Sequence, residues 1–216
     1  MNHRSKKWEH TRQMKPAHLT DEQRESFERD GYLHVENVLD SDEIAQYTKA
    51  CDHLIDDFRA GDAKYLQTRE NVVQNEALHP ILTHSPTVPF IIQLLSPNIH
   101  LHTAAVIYKD PEDEDHGTRG WHRDIGLTPD IGHSGQIRAG IKVCYCLTDF
   151  REIRSGITMF ARGSHLLSEP LGIPKGSLDP PEMVELTSKA GDAILFENRT
   201  FHSMAPNVSV RIAKVI

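Results

Sequence analysis

Helical periodicity in this 216-residue chain is confined to the part ahead of Ile99, and from Ile99 onward the pattern breaks into short β-like runs separated by turn residues. Helices followed by strands, without the alternation that builds a parallel sheet, predict an α+β fold with a mostly antiparallel core. Thr20 with Gln23 forms a capping-box pattern for a first helix, which Asp30-Gly31 stops. Residues 32–39 alternate apolar and polar as a half-buried strand does. Asp40 caps a second helix with an apolar stripe of Ile44, Tyr47, Cys51, Leu54, Ile55 and Phe58. Residues 86–95 predict a further helix, residues 61–80 are ambiguous, and the strand-like runs cover 99–108, 139–148, 157–160, 183–187, 192–196 and 207–216.

Composition narrows the class. Apolar residues at 38% and charged residues at 25% fit a globular chain with one core, expected over residues 19–216 behind a poorly ordered arm of residues 1–18. With 24 Lys and Arg against 31 Asp and Glu, the net charge of −7 argues against nucleic acid as a partner. No apolar window approaches a membrane span, and three cysteines without paired spacing predict a reducing, cytoplasmic setting. The oligomeric state is open. The 14 histidines stand out, because imidazole is the commonest metal ligand.

Two of those histidines fall in a meaningful order. His122 and Asp124 are two apart on an extended segment, so their side chains share a face. His202 follows a buried strand far downstream. Two imidazoles and one carboxylate form the facial triad of non-haem Fe(II) oxygenases, which leaves coordination positions open. Arg211, nine residues beyond His202, offers a guanidinium able to grip a carboxylate in a bidentate fork, as the distal end of 2-oxoglutarate requires. An isolated His-x-Asp is most often a surface pair; the order His-x-Asp, His, Arg raises it to a candidate site.

Phe27 to Leu33 with Asn37-Val38-Leu39, Pro97-Asn98-Ile99 with His102-Thr103, Lys109-Asp110-Pro111, Ser155-Gly156 and Arg162-Gly163-Ser164-His165 occur in an order that resembles the phytanoyl-CoA dioxygenase (PhyH) family over most of the chain. The resemblance implies a double-stranded β-helix, a cupin-like jelly roll with N-terminal helices packed on the sheet. It implies Fe(II) held by His122, Asp124 and His202, the 2-oxoglutarate carboxylate bound by Arg211, and Tyr145 and His102 facing the cosubstrate pocket. For Tyr145 a plain core role weighs equally, and Cys144 and Cys146, on the other strand face, are expected to pack. The implied activity uses O2 to hydroxylate an unactivated C–H bond of a small molecule, with release of succinate and CO2. Related halogenases carry a small residue in place of the carboxylate that Asp124 supplies here.

The sequence departs from the family pattern in three places. The anchoring Arg is expected eleven residues beyond the distal His, where Ala213 stands; Lys214, on the other strand face, is the lesser substitute. Met204 replaces a small hydroxyl residue. The chain stops at Ile216, within an expected core strand, which predicts a strand lacking its C-terminal cover. These departures keep open a catalytically silent β-helix protein that binds a small ligand or partner. A zinc hydrolase fits less well, since no His-Glu-x-x-His helix is present. Substrate choice is expected to lie in residues 61–80, 125–138 and 166–182, and Arg119 and Arg123 are candidates for meeting an anionic substrate.

Overall fold

The computed structural model describes residues 17–59, 61–117, 119–124 and 137–216. The expected arm, apart from residues 17 and 18, and the expected loop over 125–138, apart from its last two residues, lie outside them.

Helix α1 (Asp21–Asp30) begins at the predicted capping box, in which the Thr20 hydroxyl accepts from the Gln23 amide while the Gln23 side chain accepts from Thr20 N–H. It ends at Gly31, whose φ of 83° is a left-handed conformation that a side chain disfavours. Strand β1 (Tyr32–Val35) follows, then α2 (Ser41–Asp56), capped by Asp40 and Glu43. The predicted strand stops at Val35 because the chain turns at Asn37, where φ is 55° and the amide donates to Asp192. Val38 and Leu39 then donate to the Gly191 carbonyl outside any ladder.

The remaining elements are β2 (Tyr65–Thr68), α3 (His79–Leu82), α4 (Val88–Leu94), β3 (Val106–Lys109), β4 (Ile141–Tyr145), β5 (Thr158–Ala161), β6 (Met183–Glu185), β7 (Ala193–Glu197), β8 (His202–Met204) and β9 (Ala213–Val215). All strand pairs are antiparallel, in three sheets of order β1-β7-β4, β2-β3-β9 and β6-β5-β8. The first two sheets join where Cys146 bridges Val215 and Tyr145 exchanges hydrogen bonds with Ile216. No closed barrel forms among the described residues.

Alternation along β4 and β7 sorts side chains onto two faces. Tyr145, Leu147, Ala193 and Leu195 pack with Phe27, Tyr47, Leu54, Ile55 and Phe90 against the helices. Cys144, Cys146, Ile194 and Phe196 pack on the inner face with Phe150, Ile157, Phe160, Ala213 and Val215. Each fully buried large apolar side chain contributes roughly 1.5–3 kcal/mol, so both layers hold the sheets in place. The three cysteines are buried and unpaired, and burial pushes the Cys51 and Cys144 thiols up to about 12. They pack, as expected, rather than ligate.

Two further predicted strands lose more than half of their sequence patterns. Of residues 99–108, only those from Val106 onward pair, so His102 is exposed ahead of β3 rather than on it. Of residues 207–216, only Ala213–Val215 form a strand, with Asn207 in an isolated bridge to Ser155. The Asn207 side chain donates to the Arg211 carbonyl at 2.8 Å and accepts from the Ser209 hydroxyl at 2.7 Å, and these local bonds bend the chain where a ladder was expected.

Candidate metal centre

His122 and His202 form an isolated antiparallel bridge, each N–H donating to the other's carbonyl at 3.1 and 3.0 Å. The bridge adds a one-residue partner on the edge of β8 away from β5 and brings the two imidazoles to a centroid distance of 4.3 Å. Asp124, two residues on, is held by its own amide donating to the Asn198 carbonyl at 3.0 Å. One donor atom from each of His122, Asp124 and His202 lies within 4.8 Å of the others.

Both imidazoles are oriented by carbonyls two residues earlier: His122 Nδ1 lies 2.5 Å from Gly120 O, and His202 Nδ1 lies 3.0 Å from Thr200 O. A carbonyl only accepts, so each Nδ1 carries a proton and each Nε2 points inward, free to hold a second proton or to give its lone pair to a metal. His202 Nε2 then faces Asp124 Oδ2 at 3.0 Å, and His122 Nε2 faces Asp124 Oδ1 at 3.8 Å. Lone pairs facing a carboxylate at that range need a proton or a cation between them. A first-row ion with bonds of about 2.1 Å separates neighbouring ligands by about 3 Å, so the three donors fit such an ion with small adjustments.

The walls differ in depth. His202 is buried against Phe196, its ring 4.8 Å away, and beside Phe160, whereas His122 is exposed. Burial raises the Asp124 pKa, but the hydrogen bond from His202 and the nearby Lys142 ammonium outweigh it and hold the carboxyl well below the usual carboxylate range. Lys142 Nζ lies 2.6 Å from Asp124 Oδ2. The sequence reading missed this residue. Its signal was the alternation itself, since Lys142 precedes Cys144 by two positions and therefore shares the inner face.

The structure does not bring the other predicted residues to the triad. Tyr145 is on the helix-facing side of β4, its hydroxyl 2.5 Å from Thr87 Oγ1 and its ring against His84. An odd-numbered neighbour of Lys142 cannot share its face. Arg211 sits in the bend before β9, its side chain 61% exposed and nearest to Asp149 at 3.9 Å. Lys214 turns to the helices, 2.6 Å from Asp52. Arg119 is held by Asp115 and Asp179, and Arg123 donates to the Ser164 and Leu167 carbonyls, so neither is arranged as an anion receptor.

Antiparallel sheets under a helical layer, carrying two histidines and a carboxylate around one point, define a protein with a candidate mononuclear metal centre. The phytanoyl-CoA dioxygenase (PhyH) family pattern matches residues 27–215, and the chain belongs to that family. No curated protein sequence matches it. Among solved structures, it resembles the non-haem α-ketoglutarate-dependent carbocyclase SnoK from nogalamycin biosynthesis, with a TM-score of 0.72, 18% identity, and 91% of this chain and 81% of that one covered. HygX from Streptomyces hygroscopicus, with nickel and 2-oxoglutarate bound, gives 0.74 and 16% over 92% and 85%. The epimerase SnoN, in complex with Fe3+, α-ketoglutarate and nogalamycin RO, gives 0.71 and 21% over 90% and 80%. No helix among the described residues is long and apolar enough to cross a membrane.

Proposed function

We propose that this chain is an Fe(II)- and 2-oxoglutarate-dependent dioxygenase that uses O2 to hydroxylate an unactivated C–H bond of a small molecule, releasing succinate and CO2. The observation that carries the reading is the shared focus of His122 Nε2, Asp124 and His202 Nε2 in a chain of the PhyH family. The three sheets are read as one double-stranded β-helix with the helices on its outer face, and the unpaired thiols suit a reducing cytoplasm.

His122, Asp124 and His202 would hold the iron, which when bound supplies the activation of O2 that no side chain can provide. The residues around it do the remaining work. Gly120 and Thr200 carbonyls fix the imidazole tautomers, so the lone pairs point inward before metal arrives. Phe160 and Phe196 close the His202 side of the centre to water, while the exposed His122 side is the way in for substrate. Asp124 supplies the negative ligand whose presence favours hydroxylation over halogenation.

The test is Fe(II)-dependent conversion of 2-oxoglutarate to succinate, with metabolite extract added, in wild type and in Asp124→Ala. Turnover in wild type that disappears in the variant is the expected result. Equal turnover in both defeats the triad mechanism. Correctly folded, iron-loaded wild type without turnover across a broad substrate screen favours the catalytically silent ligand-binding protein instead.

A further inference from the structure

The place where an arginine is expected to grip 2-oxoglutarate, eleven residues beyond His202, holds Ala213, a buried methyl on the inner face. A dicarboxylate with one end at the metal needs a cation for its other end, and burying that carboxylate without one is costly. Ala213 pairs in register with Lys109 of β3. Along β3, Val106 and Tyr108 pack in the helix-facing core while Ile107 packs with the inner cluster, so alternation puts Lys109 on the inner face too. Of the two cations that β3 and β9 carry, Lys214 is on the helix side and paired with Asp52. Lys109 is the other.

Its ammonium is built into the fold. The side chain is 13% exposed, and Nζ donates to the Ala205 carbonyl at 3.1 Å and lies 3.2 Å from the Glu112 carboxylate. Ala205 is three residues beyond His202 on the chain that leaves β8, so the charge is fixed relative to the triad by the same backbone that carries the distal ligand. An ammonium has three donors, and these two partners use two of them.

We propose that Lys109 anchors the distal carboxylate of 2-oxoglutarate in this chain, in the role that the Arg211 guanidinium is too exposed to fill. The inference rests on the dioxygenase reading. Glu112 is then a competitor that holds the ammonium in place and yields it, in part, to the ligand.

The experiment is a titration of 2-oxoglutarate into Fe(II)-loaded protein under nitrogen, which reads binding without turnover. It is run beside 2-oxopentanoate, which has the same chain without the distal carboxylate. Lys109→Gln is expected to weaken 2-oxoglutarate binding at least tenfold and to leave 2-oxopentanoate within twofold, with Arg211→Ala within twofold for both. Glu112→Gln, which removes the competing carboxylate, is expected to tighten 2-oxoglutarate several-fold, an effect that a structural role would not produce. Should Lys109→Gln fail to fold, this second variant decides alone: unchanged or weaker binding overturns the proposal. Equal weakening of both 2-oxo acids by Lys109→Gln, or loss of 2-oxoglutarate in Arg211→Ala instead, also overturns it and leaves the dioxygenase reading standing. Wild-type protein that binds Fe(II) but neither 2-oxo acid removes both.

Discussion

The guanidinium of Arg123 lies 4.2 Å from the centroid of the Phe201 ring, so the residue between two of the proposed metal ligands is stacked on the residue that precedes the third. Its Nη2 also donates to Ser164 O at 2.6 Å and Leu167 O at 3.1 Å. One side chain thereby ties the His122–Asp124 segment to β8 and to the turn that follows β5. Arg123→Ala is expected to leave the fold intact and weaken Fe(II) binding about tenfold, which corresponds to about 1.4 kcal/mol and falls in the range for a partly desolvated cation–π contact. Anaerobic metal titration with circular dichroism as the folding control measures it, and unchanged affinity removes the positioning role.

Lys142 acts on the same carboxylate with the opposite sign. An ammonium beside Asp124 satisfies the metal-free site but repels an arriving dication, and at a partly exposed position this costs about 1 kcal/mol. Lys142→Met is therefore expected to tighten Fe(II) roughly fivefold. A weaker metal site in that variant would mean that Lys142 serves mainly to aim the carboxylate.

Gly31 couples the helical layer to the ligand strand. A Cβ there would stand 2.5 Å from both His165 Nδ1 and Thr200 Oγ1, at a backbone φ of 83°. Thr200 Oγ1 donates to Gly31 O at 2.9 Å, and the Thr200 carbonyl orients His202. Backbone strain and overpacking together predict a loss of about 3 kcal/mol for Gly31→Ala, or a Tm lower by roughly 6–12 °C. Differential scanning calorimetry checks it; a shift under about 2 °C would mean that the segment yields without strain.

Two buried imidazoles set the response to acid. Burial lowers the pKa of His84, against the opposing pull of Glu43, and likewise lowers that of His165, whose Nε2 meets the Glu28 carbonyl at 3.0 Å. A histidine whose folded pKa is below its unfolded value binds its proton more readily in the unfolded chain. Stability is then full above the unfolded value near 6.5 and falls as the pH drops through it. Chemical denaturation at pH 7.5, 6.5 and 5.5 is expected to show that decline, and His165→Gln is expected to flatten it. A pH-independent midpoint over this range contradicts the assignment.

The triad was legible because its signal is local: His122 and Asp124 share a face at spacing two, and His202 follows a buried apolar strand. The capping residues Thr20, Gln23, Asp40 and Glu43 were legible for the same reason. What failed depended on distant partners. Which face of β4 meets the helices decides between Tyr145 and Lys142, and only the packing of Phe27, Tyr47 and Phe90 settles that. Arg211 lost its strand to the side chains of Asn207 and Ser209, whose preference for local backbone bonds competes with any ladder. Lys109 was read merely as part of a resemblance, because its register against Ala213 is not visible in sequence.

The His122–His202 bridge also orders events in the life of the molecule. The first two donors leave the ribosome long before the third, and the backbone bonds that set them against it, from His122 to His202 and from Asp124 to Asn198, form only once that later segment has been made. In the finished centre Lys142 and His202 both face the Asp124 carboxylate. A centre whose ligands are aimed by the fold's own backbone is expected to change activity far more than stability when iron is added or removed.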